Sequence, residues 1–245
     1  GFLHGFANTT DGAWNRMVDG FGERWVSEAI AFKPYACGTM IHPYIDCARR
    51  IVATGQPSPR PSPKGEGAAS SPLPWEGAGG GSFDAITRIT CDTAEGIVHR
   101  LWEPLAAKRR PPNAYAAKFS VPFCVAYAML RGHVGLEAFT DETARDPQIA
   151  ALAAKVGYRV DPANPYPDAF TGHVRVEMRD GRVLEERQPH FRGGASEPLT
   201  RAEIEEKFRA NCACGGWDSA RAQRWLEFAR GAFDARAIDL EEFRA

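Results

Sequence analysis

The amino-acid sequence predicts an α+β protein with helical segments at both ends of the chain. Several runs of apolar residues recur at the spacing of an amphipathic helix, and several short segments alternate apolar and polar residues as strands do. The pair Asp180–Gly181 separates two of the strand-like segments, which is typical of a hairpin turn. With 245 residues, the chain is long enough to bury a core of its own in one or two domains.

The beginning of the chain is predicted to pass from a helical unit into the α+β domain. Residues 1–27 mix aromatic, glycine and apolar residues and are interpreted as the end of a larger helical unit. The α+β domain is predicted over residues 28–192. It starts with a short strand at 28–33 and an amphipathic helix at 43–53, which has Pro43 in its first turn.

Residues 56–81 have the composition of a linker rather than of a packed element. Proline, glycine and serine dominate, and there is little apolar surface to bury. We interpret the segment as a disordered or extended insertion at a surface loop, because lengthening such a loop costs little closure entropy. The run Pro59–Pro63 could instead adopt polyproline II and bind a partner domain, and this alternative stays open.

The remaining elements follow from periodicity and from the signals at their ends. Helix starts are indicated by Asp146–Pro147, which supplies a cap and a first-turn proline, and by the capping box of Thr200 and Glu203. The predicted strands are 83–93, 156–160, 173–178 and 183–188, and the predicted helices are 94–102, 116–130, 136–139 and 146–155. Residues 193–245 are predicted to be a C-terminal helical segment.

The composition argues against several classes of protein. The formal net charge is -1, with 25% charged residues, so nothing global favours nucleic acid or a membrane surface. No stretch approaches the roughly 18 to 20 uncharged apolar residues of a membrane span, and the start of the chain lacks the layout of a signal peptide. We therefore expect a cytoplasmic protein without a nucleic-acid or membrane partner.

The six cysteines are expected to be free and mostly buried thiols, because a chain of this size does not need disulfide bonds. Cys212 and Cys214 stand close together in the sequence. No second pair at zinc-like spacing accompanies them, so no metal site is expected.

Four motifs occur in order along the α+β part of the chain. They are Ala-Phe-Lys-Pro-Tyr-Ala-Cys-Gly at 31–38, His-Pro at 42–43, Lys-Phe-Ser-Val-Pro-Phe at 118–123 and Gly-His-Val-Gly-Leu at 132–136. With these motifs, the chain resembles the C-terminal half of the MmgE/PrpD family, which includes 2-methylcitrate dehydratases and cis-aconitate decarboxylases. The resemblance extends over nearly the whole chain apart from the linker-like insert.

The resemblance implies a particular domain arrangement. Residues 28–192 would form a small α+β lid domain, and the flanking helical segments would belong to an all-helical domain that is largely missing. In the family, the aspartate and histidines that transfer protons lie in that helical domain, which would be upstream of Gly1. The chain would then be incomplete as an enzyme.

Lys33 and His42 are the first two candidate site residues. A tricarboxylate substrate needs cations to hold its charges, together with a base and an acid for proton transfer. The resemblance implies that the lysine at the position of Lys33 lines the active site, so Lys33 is expected to be catalytic. His42 stands at a helix start, where the helix dipole favours an anion, and is expected to bind substrate. A solvated lysine and a packed, capping histidine are the alternatives.

Lys118 and Arg192 are the other two candidate substrate-binding residues. Lys118 opens the motif that precedes the most apolar helix, and the guanidinium of Arg192 could clamp a carboxylate. Lys118 could equally be a helix-start residue, and Arg192 could pair with acidic groups at a domain junction. Phe123 occupies a position where the family often has a tyrosine, and a phenyl ring cannot donate a proton.

The implied function is that of an MmgE/PrpD-type lyase, such as a 2-methylcitrate dehydratase. It would act on a tricarboxylate by acid–base chemistry without a cofactor. A catalytically silent remnant, and a decarboxylase or epimerase of a related di- or tricarboxylate, are the alternatives. The expected partners are the small carboxylate and either a second copy in a homodimer or a separately encoded helical domain.

Overall fold

The computed structural model describes residues 2–9, 12, 16, 18–23, 25, 30–54, 83–234 and 238–243. The predicted insert at 56–81 lies outside the described residues. The chain divides into two compact units, residues 1–31 and residues 32–245. In the first unit, helix α1 spans Phe2–Ala7, and the side chains of Phe6, Phe21 and Trp25 are largely exposed.

The second unit is a mixed α+β structure, as the sequence predicts. Its strands are β1 (Ile86–Thr93), β2 (Val156–Val160), β3 (Gly172–Met178) and β4 (Val183–Gln188). Its helices are α2 (His42–Thr54), α3 (Glu95–Leu101), α4 (Leu105–Arg109), α5 (Ala114–Ala117), α6 (Val121–Arg131), α7 (Asp141–Ala144), α8 (Pro147–Ala153), α9 (Arg201–Cys214) and α10 (Ser219–Gly231).

The four strands form one sheet in the order β2-β1-β3-β4. β1 pairs with β2 in parallel and with β3 antiparallel, and β3 and β4 form the predicted antiparallel hairpin. Helix α2 packs on β3 and β4, and it also packs on α6. The core therefore lies on one face of the sheet, where Ile89, Val174, Val176 and Leu184 are buried together with Ile45 and Ile51 of α2.

Helix α6 is the most buried helix of the core, and its start is defined by a side chain. The Ser120 hydroxyl accepts a hydrogen bond from the Phe123 amide, so Ser120 is the N-cap, and Gly132 ends the helix in the left-handed conformation. A single predicted helix over 116–130 is therefore wrong in its first part. The chain instead forms α5, breaks at residues 118–120 and restarts at the cap.

Most other predicted elements are confirmed, with shifts at their ends. β2 and β4 have the predicted bounds, Asp146 caps α8, and Thr200 and Glu203 form the predicted capping box at the start of α9. β1 begins at Ile86 because the three residues before it form a 3-10 turn. Helices α4 and α7 were not predicted.

The predicted strand at 28–33 is wrong for its described residues, 30–33, which are irregular. The Phe32 amide donates one hydrogen bond to the Gly193 carbonyl at 2.9 Å, and Pro34 has no N–H group to continue a ladder. One backbone bond fixes the segment without making it part of the sheet.

The C-terminal helices α9 and α10 pack against each other. Glu205 of α9 forms ion pairs with Arg201 and Arg209 of its own helix and with Arg230 of α10. Four aromatic rings contact one another around α10. They are Trp217, Trp225, Phe228 and Phe243. Within the part of the chain that the structure describes, no helix is long and apolar enough to cross a membrane.

Gly193 is required where the segment after β4 meets the Phe32 backbone. Its φ of 99° favours glycine, and a Cβ at this position would collide with the Phe32 carbonyl oxygen. Gly216, between α9 and α10, has a comparable φ of 84°, but a Cβ there would have no neighbour within 4 Å. The two glycines therefore share a left-handed backbone, but only at Gly193 would a Cβ collide with a neighbouring atom.

We expect Gly193→Ala to destabilise the protein more than Gly216→Ala. The strained φ alone costs about 1 to 2 kcal/mol in each variant, and the collision adds to that cost only in Gly193→Ala. Urea denaturation of both variants measures the difference. Equal losses of unfolding free energy would contradict the role of Gly193 in holding the Phe32 segment.

Candidate functional site

The four candidate residues lie around the segment that joins Phe32 to helix α2. The segment is anchored at two points, since the Phe32 amide donates to the Gly193 carbonyl and the Gly38 amide donates to the Lys118 carbonyl, each at 2.9 Å. Tyr35 and Cys37 point into the core. We call residues 32–38 the anchored loop, and it leaves the Lys33 side chain exposed.

His42 is completely buried at the first position of α2. Its Nε2 lies 3.3 Å from the Cys37 carbonyl oxygen, and its ring contacts the rings of Tyr35 and Phe191 at centroid distances of 5.2 and 5.3 Å. Since a carbonyl only accepts, Nε2 carries the proton, and Nδ1 is an acceptor in the neutral ring. Nδ1 is buried and has no hydrogen-bond partner among the described residues.

Arg192 takes part in a buried polar network beneath the anchored loop. Its Nε bonds Asp46 Oδ1 at 3.1 Å, its Nη1 bonds Glu203 Oε1 at 2.6 Å, and its Nη2 lies 3.3 Å from the Tyr35 hydroxyl. The Tyr35 hydroxyl donates to the same Asp46 oxygen and accepts from Arg49 Nη1 at 3.0 Å. The guanidinium of Arg192 thus has two carboxylate partners, and its contact with a substrate stays a prediction.

The network shifts the proton affinities of its members. Burial, followed by the charge of Asp46, raises the pKa of Tyr35 to about 12. Burial works against the charge on Arg192, but Tyr35 and Asp46 hold the pKa of Arg192 above its ordinary value. Tyr35 therefore stays a neutral donor and Arg192 a cation throughout the neutral pH range.

Cys37 is the second buried side chain of the anchored loop and contacts Cys124 of α6. The pKa of the Cys37 thiol is lowered, first by a hydrogen bond with the Cys124 thiol and then by His42 and Lys33, against the effect of burial. Lys33 therefore lies within electrostatic reach of Cys37. All six cysteines of the chain are free, and four of them are buried, as predicted.

Lys118 lies directly after α5 and contacts the anchored loop through its backbone. Its carbonyl is the acceptor for Gly38, and its half-buried side chain places the amine 5.9 Å from the centre of the Phe139 ring. Phe123 is a core residue that packs against the rings of Tyr127 and Phe139. The structure therefore brings Lys33, His42 and the Lys118 backbone together at one loop, with Arg192 one layer below.

The order of motifs around this loop also matches a known family. Residues 35–230, which include the sheet, most of the anchored loop and both C-terminal helices, match the family model of the MmgE/PrpD C-terminal domain. The chain belongs to the MmgE/PrpD family. The resemblance seen in the sequence is thereby confirmed.

Two relatives extend this comparison to MmgE/PrpD proteins of named activity. The chain is 27% identical over 124 residues to the cis-aconitate decarboxylase of Mus musculus, a match over 50% of this chain and 25% of that protein. It is also 27% identical over 114 residues to the cis-aconitate decarboxylase of Homo sapiens, over 46% of this chain and 24% of that protein. The matched part thus spans about a quarter of the length of either relative.

Sequence reasoning missed three residues that the structure places in and behind the anchored loop, Tyr35, Cys37 and Asp46. Tyr35 and Cys37 lie inside the motif that contains Lys33, and Asp46 follows His42 by four residues, which places both on one face of α2. That spacing was a usable signal for Asp46. Its partner Arg192 is far away in the sequence, so the pair itself had no local signal.

We expect Arg192→Met to destabilise the protein strongly because it leaves the buried Asp46 carboxylate without a cation. Removing one partner of a buried ion pair costs about 3 to 5 kcal/mol, whereas the matched variant Arg175→Met, at an exposed ion pair, should cost about 0 to 1 kcal/mol. Chemical denaturation of both variants measures the two values.

The double variant Arg192→Met/Asp46→Asn separates charge from packing. It should recover part of the loss, because the uncompensated buried charge is gone. A loss in Arg192→Met no larger than that in Arg175→Met would show that the network does not hold the loop.

Proposed function

We propose that this chain supplies the substrate-facing anchored loop of an MmgE/PrpD-type lyase that acts on a small di- or tricarboxylate. The observation that supports the proposal most directly is the state of Lys33. Its side chain is exposed on a loop with two backbone anchors, and it makes no ion pair or hydrogen bond with any described residue. A cation that projects from an anchored backbone and has no carboxylate partner among the described residues is suited to a substrate carboxylate.

The groups near Lys33 are suited to acid–base chemistry. Proton removal next to a carboxylate requires a base within reach, and the resulting charge is stabilised by nearby cations. Cys37, whose pKa is lowered, lies within electrostatic reach of Lys33, and His42 contacts the Cys37 carbonyl, but both side chains are buried in this arrangement. We therefore propose that groups of a helical domain complete the site.

Two substrates follow from the family, and the relatives favour one of them. The two substrates are 2-methylcitrate, for a dehydratase, and cis-aconitate, for a decarboxylase, and both are tricarboxylates. The two relatives described above are named as cis-aconitate decarboxylases. We therefore propose cis-aconitate as the first substrate to test and 2-methylcitrate as the second.

We expect the chain, mixed with its helical partner domain, to turn over one of these acids. Alkene absorbance and carbon dioxide release measure the reaction. Lys33→Ala should lower kcat in the mixture by about 100-fold or more, which is the range for a positioned acid–base or charge-stabilising group. Because Lys33 is exposed, the variant should keep its fold, and circular dichroism checks this.

Lys207→Ala is the matched control, because Lys207 lies on α9 and makes no hydrogen bond or ion pair within the described structure. It should leave kcat within about twofold, as most surface substitutions do. Equal activities of Lys33→Ala and Lys207→Ala would contradict the role of Lys33. Absence of turnover with both acids would favour the silent alternative.

A further inference from the structure

The face of the sheet opposite α2 carries polar side chains and borders a cleft of about 540 Å³. That volume lies within the range of small-molecule binding sites in proteins. The residues of β1, β2 and β3 that face the cleft alternate with the core residues of the same strands. They are Arg88, Thr90, Asp92, Gly157, Arg159, His173, Arg175 and Glu177.

At one end of the cleft, charges of opposite sign neutralise each other. Asp92 accepts two hydrogen bonds from Arg159, at 2.9 and 2.8 Å, and one from His173 Nδ1 at 2.5 Å. The other ring nitrogen of His173 lies 2.8 Å from Glu185, which also pairs with Arg175 at 3.3 Å. The carboxylates at this end are therefore already engaged by cations.

At the other end of the cleft, three cations have no carboxylate partner among the described residues. Arg109 donates from Nε and Nη2 to the Val156 carbonyl at 2.9 and 2.7 Å. The Lys155 amine donates to the carbonyls of Phe83 and Ile86 at 3.2 and 2.7 Å. The third cation, Arg88, is exposed. Carbonyl oxygens orient a cation but do not cancel its charge. Glu177, opposite Arg88 in the β1–β3 register, pairs with Arg175 at 3.5 Å, so this end of the cleft keeps a net positive charge.

We propose that this cleft is a binding site for a small polyanion, either a phosphate ester or a polycarboxylate. The anionic groups of the ligand would lie against the side chains of Arg88 and Lys155 and against Nη1 of Arg109. Gly157 forms part of the floor, and the nearest atom to a Cβ placed there would be Arg109 Nη2 at 3.9 Å, so the floor leaves room for a ligand. Oriented guanidinium and ammonium groups recognise the anionic oxygens of both ligand types.

The cleft is separate from the loop that carries Lys33. Helix α2, which follows the anchored loop, packs on the opposite face of β3 and β4. Anion binding in the cleft is therefore independent of the proposed function. It can be measured directly, without an assay of turnover.

The test is calorimetric titration of the full chain at low ionic strength with inorganic pyrophosphate and, separately, with citrate. We expect one of the two anions to bind, which identifies the ligand type. Arg88→Gln should weaken that binding by at least about tenfold, because a charged hydrogen bond contributes that much or more. Arg88 is exposed, so its replacement should preserve the fold.

A control variant makes the result specific. Arg100→Gln removes the same charge from the exposed surface of α3, outside the cleft, and should change the affinity less than twofold. Absence of binding by both anions, binding that Arg88→Gln leaves unchanged, or an equal loss in Arg100→Gln would each overturn the proposal.

Discussion

The buried carboxylate of Asp46 is the constraint on which the arrangement of this protein depends. A charge with 4% of its surface exposed must be neutralised, and the groups that do so come from distant parts of the chain. Tyr35 comes from the anchored loop and Arg192 from the segment after β4, while Arg192 also reaches Glu203 on α9. One buried charge thus fixes the loop, the first core helix and the C-terminal helices relative to one another.

Two polar atoms that the fold leaves unsatisfied lie in the same region. His42 Nδ1 and Asp46 Oδ2 are buried and have no hydrogen-bond partner within the described ranges, and both belong to the first turns of α2. Such atoms cost free energy, and proteins contain few of them. Both atoms lie directly behind the loop of Lys33, and a third, Glu186 Oε1, belongs to β4.

The sequence predicts the parts of this structure that depend on local chemistry. The Asp-Gly turn, the caps at Asp146 and Thr200 and the strand alternation of β2 and β4 are properties of a few adjacent residues, and those elements were correct. The break before Ser120 and the irregular backbone at 30–33 were not predicted. They depend on hydrogen bonds with the Lys108 and Gly193 carbonyls, which only the tertiary structure brings close. The same distinction applies to Arg192: the sequence offered acidic groups as its possible partners, but only the tertiary structure identifies them as Asp46 and Glu203. The role of Lys33 stays a prediction.

Phe123 stands where the MmgE/PrpD family often has a tyrosine, so a tyrosine hydroxyl is excluded as a proton donor at this position of the candidate site. Phe123 lies in the core between the rings of Tyr127 and Phe139, so a hydroxyl at its position is absent and its ring serves packing. Two described side chains near the loop that could supply a proton instead are the Cys37 thiol, whose pKa is lowered, and the His42 imidazole. Both are buried, Cys37 within the anchored loop and His42 at the start of α2, so neither reaches a substrate at the surface unless the loop opens. Chemistry from this chain alone would therefore require both loop anchors to open, whereas chemistry completed by a helical partner would require only that Lys33 stay where it is.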